Sequence, residues 1–307
     1  MSPLAVALAD YLRLRRGLGH KLDDAGRQLV RFVAHMDAVG AETVTLQAAM
    51  SFVFDPALDP ASTNPARRLT AVRGFAHYLA GIDSRIEIPP AGLVCFRRRR
   101  RNPYLFSDED VAAVTRAARE STPFPFRKET LSSLIGLLAV TGMRVGEALR
   151  LEHTDIDWDD AVIMIRDTKF GKGRNVPVSA STIEALANYA HRRDRPRTVT
   201  GCLFVSLAGT AVIYANFCKT FGDAMVTAGV GSGSPVRPRI HDLRHSFAVR
   251  TLLGWYRAGL DAETLLPRLA TYLGHRDIRF TYWYLTATPE LLGQAATRLE
   301  AFQAVTP

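Results

Sequence analysis

The chain has 307 residues, 47% hydrophobic and 22% charged, with 39 Lys and Arg against 30 Asp and Glu, a formal net charge of +9. That length suits one large domain or two ordinary ones, and the apolar fraction excludes a mostly disordered chain. The longest nearly uncharged apolar stretch, Leu131 to Val140, is too short to cross a bilayer, and the N-terminus makes a poor signal peptide. The three cysteines, Cys95, Cys202 and Cys218, have no C-x-x-C spacing. They argue against a disulfide framework or zinc knuckle and for a reducing, cytoplasmic setting. The basic surplus points to a polyanionic partner, but many basic proteins never meet nucleic acid.

Taken in chain order, the first third reads as four helices. Ser2-Pro3 opens one that carries Leu4, Leu8, Tyr11 and Leu12 and ends at Gly17 and Gly19. Asp23 or Asp24 can cap a second, in which Leu29, Phe32, Val33 and Met36 share a face before Gly40. Thr45 can cap a short third that must end before Pro56. Asn64-Pro65 opens a fourth, with Leu69, Val72, Phe75, Ala76 and Leu79 on one side. These faces predict a compact helical domain over residues 1–84.

Residues 85–105 change character. Ile88-Pro89-Pro90-Ala91-Gly92 cannot continue a helix, and Arg97, Arg98, Arg99, Arg100 and Arg101 form one basic run. The segment reads as an interdomain linker, suited to lie along a phosphate backbone, where each neutralised phosphate releases counterions. The surplus charge is uneven: residues 1–105 hold 15 basic and 9 acidic side chains, and residues 106–307 hold 24 and 21.

A second domain is expected over 106–307. Ser107-Asp108-Glu109-Asp110 is a capping-box-like helix start. Helices follow near Lys128–Thr141 and after Gly142. Val162–Ile165 and Asn175–Val178 read as strands joined by a hairpin turn at Lys169-Phe170-Gly171-Lys172-Gly173. Further helices are expected over Ser181–Arg193, Val212–Ala228, His241–Ala258, Ala262–Leu273 and Pro289–Phe302, with a strand at Cys202–Val205. Gly229-x-Gly231-x-Gly233 lacks the strand-to-helix setting of a dinucleotide fingerprint. The expected fold is mainly α: a helical N-terminal domain and a mixed α+β domain with a small antiparallel sheet.

Five separated pieces carry chemistry: Thr141-Gly142-Met143-Arg144-Val145-Gly146-Glu147-Ala148-Leu149; Thr168-Lys169-Phe170-Gly171-Lys172-Gly173-Arg174-Asn175-Val176-Pro177; His241-Asp242-Leu243-Arg244-His245-Ser246-Phe247-Ala248; Leu273-Gly274-His275; and Tyr284, nine residues after that histidine. Singly, each has an ordinary structural explanation. Arg144 can pair with Glu147, Lys169 can be an exposed hairpin lysine, His275 can cap a helix, and aromatics such as Tyr284 commonly pack. His241 and His245, one helical turn apart, could hold a metal, but no further ligand accompanies them. Together, two Arg, a Lys, two His and a Tyr are the inventory for phosphoryl transfer without a metal. Guanidinium forks match the non-bridging oxygens of a phosphodiester and stay ionised. A tyrosine oxygen is a competent nucleophile once deprotonated, and a lysine can protonate the leaving 5′ oxygen.

This set, in this order, resembles the tyrosine recombinase (phage integrase) family over about residues 107–290. The N-terminal helices look like that family's SAM-like core-binding domain. The start of the chain and the Thr-Lys-Phe-Gly-Lys hairpin look like recombinases that transposable elements encode several side by side. The resemblance implies that Arg144 and Arg244 clamp the scissile phosphate. His241 would be a general acid/base and phosphate ligand, and His275 would donate to the phosphate. Tyr284 would attack to leave a 3′-phosphotyrosyl strand, with Glu147 orienting the Arg–His cluster. Lys169 would be the general acid, with Lys172 its competitor, because Lys169 has the family's eight-residue spacing to Pro177. Tyr282 competes with Tyr284 but sits two residues too near His275.

No cofactor is implied, neither ATP nor a metal. The implied partner is double-stranded DNA, bound by a homo- or hetero-tetramer that could be monomeric when free, with a nucleoid-associated location and no membrane. Arg13, Arg15, Arg16, Lys21, Arg67, Arg68 and Arg73 are candidate DNA contacts beside the 97–101 run. In similar recombinases a C-terminal element docks on a neighbouring protomer, and the amphipathic segment after Pro289 suits either that or packing on its own domain. The rival readings are a type IB-like topoisomerase and a catalytically silent DNA-binding regulator.

Overall fold

The computed structural model describes residues 2–55, 65–94, 102–166, 173–286 and 293. The chain divides into two compact units, Met1–Arg100 and Arg101–Pro307. The architecture is mainly helical with one small antiparallel sheet. Among the described residues no helix is long and apolar enough to cross a membrane.

The first unit contains α1 (Pro3–Gly17), α2 (Asp23–Ala38), α3 (Leu46–Val53) and α4 (Pro65–Ala80). Ser2 and Thr45 cap α1 and α3 by accepting from the backbone N–H three residues on, which satisfies donors with no partner inside the helix. The apolar faces close one core, in which Phe32, Met36, Phe52, Phe75 and Ala76 lose all solvent contact. Phe32 and Phe52 meet edge to face, 5.2 Å between centroids. The start of α2 differs from expectation. Asp23 and Asp24 fall inside its first turn, and the cap position belongs to Leu22 in the left-handed region at φ 49°. The two carboxylates still suit the positive end of the helix dipole.

The second unit opens with α5 (Asp108–Glu120), started by a complete capping box between Ser107 and Asp110, then α6 (Pro125–Thr141) and the short α7 (Val145–Leu149). The sheet follows as β1 (Ile156–Asp157), β2 (Val162–Ile165) and β3 (Arg174–Pro177), in the order β1-β2-β3, with Ile163 opposite both Ile156 and Val176. Next come α8 (Ala180–Ala190), α9 (Tyr214–Thr227), α10 (Asp242–Arg257), α11 (Ala262–Leu273), α12 (Arg279–Tyr282) and a 3₁₀ turn, Trp283–Thr286. One core gathers α5 to α9 and the sheet around Leu134, Ile135, Phe204, Phe217 and Phe221. A second binds α10 to α11 through Leu252, Leu266 and Leu273 and takes in Tyr284.

Two expectations change here. A strand at 156–157, too short to show alternation, joins the two predicted ones. Cys202 to Val205 form no strand; isolated bridges pair Cys202 with Glu152 and Val205 with Ala211. The segment is held instead by burial of Leu203, Phe204 and Val205. The hairpin tip at 167–172 and, apart from Gly293, the helix expected after Pro289 lie outside the described residues.

Candidate active site

Gly142 ends α6 in the left-handed region at φ 61°, and a Cβ there would stand 2.6 Å from Phe247 Cδ1. The tight turn delivers Arg144 to the N-terminus of α7. Its backbone N–H donates to Glu147 Oε2 at 3.0 Å, and its Nη1 donates to Oε1 at 2.6 Å. Arg174, from β3, grips the same carboxylate from another direction, with Nη2 to Oε2 at 2.8 Å and Nη1 to Oε1 at 3.1 Å. Burial alone would raise the pKa of Glu147. The Arg174 and Arg144 contacts outweigh it and hold the group down at about 2. The carboxylate is thus a fixed negative charge shared by two guanidinium groups.

The C-terminus of α11 completes the frame. Gly274 closes that helix at φ 68° and leaves carbonyls with no partner inside the helix. Arginines take three of them. Arg174 Nε donates to Tyr272 O at 2.7 Å, Arg244 Nη2 to Leu273 O at 2.6 Å, and Arg144 Nη2 to Gly274 O at 2.8 Å. Arg244 Nη1 also donates to Gly142 O at 2.8 Å. The negative end of a helix dipole favours such cations. Arg244 is 3% exposed. Burial, then the neighbouring Arg144 charge, lowers its pKa to about 10, which leaves it ionised at neutral pH. Tyr272 ties α11 to the sheet from below, its hydroxyl donating to Pro177 O at 3.4 Å while its ring stacks on Phe247.

Three imidazoles line the same place. His241, at the start of α10, is open to solvent on one side. The protein around its ring, then the Arg244 charge, pushes its pKa down to about 4. His275 follows Gly274, shares a 2.8 Å hydrogen bond between its Nδ1 and Thr281 Oγ1, and is lowered to about 3 by burial and the Arg244 and Arg144 charges. Both rings are therefore neutral near pH 7. His245 lies one turn along α10 from His241, with ring centroids 4.9 Å apart and edge to face. Its Nδ1 stands 2.9 Å from the hydroxyl of Tyr284. Tyr284 is 2% exposed and its ring lies nearly parallel to that of His275, 6.2 Å away. Tyr282 is 44% exposed.

The chain matches the model of the phage integrase family over residues 106–290. It is 42% identical over 308 residues to a Sinorhizobium fredii protein provisionally named integrase/recombinase y4rB, covering 98% of both chains. It is 31% identical to the tyrosine recombinase XerD of Bradyrhizobium diazoefficiens, over 92% of this chain and 91% of that one. The chain belongs to the phage integrase family. Its fold is also that of the Tn1549 transposon integrase in complex with transposon right end DNA, with a TM-score of 0.66 at 16% identity over 98% and 99% of the two chains. A lambda integrase tetramer bound to a Holliday junction gives 0.62 at 16% identity, over 92% and 76%. The enzyme is thus a tyrosine-type site-specific recombinase.

Of the residues singled out in this recombinase's sequence, Arg144, Glu147, His241, Arg244, His275 and Tyr284 come together. Lys169 and its competitor Lys172 lie outside the described residues, as does the 97–101 arginine run. In the first unit Arg13, Arg16, Lys21 and Arg67 are exposed, and Arg15 and Arg73 are half-buried. Arg13 pairs with Asp10, and Arg67 approaches Asp24 at 3.7 Å. Arg68 corrects the expectation of a DNA contact: it is 2% exposed, and its Nη1 donates to Val53 O, at the end of α3. Spacing carried that signal, because Arg68, Val72, Phe75 and Leu79 fall on one helix face. Two members of the site escaped the sequence reading. Arg174 belongs to the quoted Thr168–Pro177 piece but receives no role there, and His245 is considered only as a metal ligand. Among the described residues no third ligand accompanies the His241–His245 pair.

Proposed function

We propose that the chain cuts and rejoins duplex DNA through a 3′-phosphotyrosyl intermediate and mobilises the transposable element that encodes it. The observation that carries this reading is the placement of a buried tyrosine whose ring lies nearly parallel to that of His275, 6.2 Å away, beside the Gly274 carbonyl that anchors Arg144. Arg144 and Arg244 are fixed by backbone carbonyls, so their remaining N–H donors are preorganised for the two non-bridging oxygens of a phosphodiester. Glu147 and the α11 carbonyls offset the repulsion between these cations before DNA arrives. Neutral His241 and His275 can donate to the phosphate while charge builds on it. Tyr284 attacks phosphorus as its phenolic proton passes to His241, the acid/base of the reading, and Lys169 protonates the departing 5′ oxygen. The energy of the broken P–O5′ bond is kept in the Tyr–DNA linkage, and the 5′ hydroxyl of a partner strand attacks that linkage to form a new phosphodiester and release Tyr284.

Double-stranded DNA is the proposed substrate and a recombinase tetramer the working assembly, a reading supported by the lambda integrase tetramer on its junction and by the DNA-bound Tn1549 transposon integrase. The test uses nicked suicide duplexes tiled across the DNA that flanks the coding region. The wild-type chain is expected to trap a covalent 3′ adduct on one of them, Tyr284→Phe none, and Tyr282→Phe to trap it like wild type. An adduct that survives Tyr284→Phe, or no adduct with wild type on any duplex, sinks the mechanism. Strand exchange between two such sites, rather than relaxation at many, separates it from a type IB topoisomerase.

A further inference from the structure

One buried hydroxyl ties His275 to the turn that leads into Tyr284. Asp277 Oδ1 accepts from the Arg279 backbone N–H at 2.8 Å, and the Thr281 N–H donates to Ile278 O at 2.7 Å, so backbone bonds hold the turn that carries Thr281. Thr281 stands on α12 three residues before Tyr284 and has no solvent exposure. Its Oγ1 lies 2.8 Å from His275 Nδ1. A buried hydroxyl whose proton meets no acceptor is costly. Among the described residues the one partner of this hydroxyl is that ring nitrogen. The Thr281 O–H therefore donates, and Nδ1 accepts. Burial and the Arg244 and Arg144 charges keep the His275 ring neutral. A neutral imidazole carries one N–H and one lone pair, so with its lone pair on Nδ1 the ring holds its proton on Nε2.

We propose that Thr281 is a positioning residue, which fixes the His275 ring and its proton so that Nε2–H is the donor offered to the scissile phosphate. The inference rests on the phosphotyrosyl reading above. The opposite tautomer would fail twice. It would present a lone pair to an oxygen that gains negative charge, and it would leave the Thr281 hydroxyl without an acceptor. Because Thr281 belongs to the segment that carries the nucleophile, the same bond keeps the phosphate donor in register with Tyr284. Thr281 itself gives up no proton and touches no reacting atom; its effect passes through His275.

The test is single-turnover cleavage of the suicide duplex that traps wild type. Thr281→Val keeps the shape of the side chain and removes its hydroxyl. It should cleave about tenfold slower than wild type while shifting the same duplex equally in a gel. Thr281→Ser restores the hydroxyl and should recover most of the rate. In a His275→Ala background the Val substitution should cost less than about twofold, because the group it acts through is gone. A Thr281→Val rate within about twofold of wild type, a Ser variant no faster than Val, or the full cost persisting without His275 overturns the assignment. If Thr281→Val fails to shift the duplex, Thr281→Ala is carried through the same cycle with the same criteria. Imidazole nitrogen NMR of the DNA-free wild-type protein, with the His275 signals identified by their loss in His275→Ala, reads the tautomer directly. Nδ1 should resonate as the bare nitrogen and Nε2 as the protonated one, and the reverse overturns the proposal whatever the rates. A Tyr284-dependent adduct that forms as fast with Thr281→Val removes the role of Thr281 and leaves the phosphotyrosyl mechanism standing. Absence of the wild-type adduct removes that mechanism and, with it, the phosphate as the target of Nε2–H.

Discussion

Arg174 shows how much one unforeseen side chain can carry. Its side chain is 7% exposed, and its donors reach both Glu147 oxygens and the Tyr272 carbonyl, so it joins β3, α7 and α11 at one point. Removing one partner from a buried pair leaves a charge without compensation, which is worse than never having the pair. Arg174→Met should therefore destabilise the fold by about 3 kcal/mol in urea denaturation. It should also slow suicide-duplex cleavage in the protein that remains folded, because Glu147 would then draw Arg144 alone. Lys should rescue only in part, since an ammonium lacks the planar fork that spans both carboxylate oxygens. Residue motifs made Arg144, His241, Arg244, His275 and Tyr284 legible, because their chemistry dictates residue type and order. Arg174 and His245 were not, because their importance lies in which atoms they meet. Arg68 was misjudged because its charge was weighed before its helical register.

Helix ends build the site at the next scale. Two left-handed glycines, Gly142 and Gly274, stop α6 and α11 so that a carbonyl from each end meets Arg244, while the α11 end also holds Arg144 and Arg174. The sequence showed where these helices stop, and α11 is observed over the predicted residues Ala262–Leu273. It could not show that two ends from distant parts of the chain would converge. Gly274 is doubly constrained, by its φ of 68° and by Arg174 Nη1, which would stand 2.7 Å from an added Cβ. Gly274→Ala should cost about 2 kcal/mol in a denaturant melt, from backbone strain and displacement of Arg174. It should reduce covalent adduct formation more than duplex binding, because it moves the carbonyl that anchors Arg144.

Over the whole molecule the charge has two jobs. A surplus of six of the nine positive charges falls in residues 1–105, where exposed Arg13, Arg16, Lys21 and Arg67 are the proposed phosphate contacts. In the second unit Arg174 and Arg244 are buried and Arg144 partly exposed; backbone carbonyls hold all three, and Glu147 pairs with Arg144 and Arg174. If each arginine of the 97–101 run neutralises one phosphate, replacing all five with Ser should flatten the slope of log affinity against log salt by about 4.5. Fluorescence anisotropy at several salt concentrations reads that change, and an unchanged slope removes the run from the DNA-binding surface.

The sequence by itself determined the helical class, the small antiparallel sheet and the family, because periodicity, capping and motif order are local or compositional. Only tertiary structure decided which charges are buried, which carbonyls hold the arginines and which imidazole meets the tyrosine. Those outcomes depend on contacts between segments 15 to 130 residues apart, and no local pattern in a chain encodes a distance across that span.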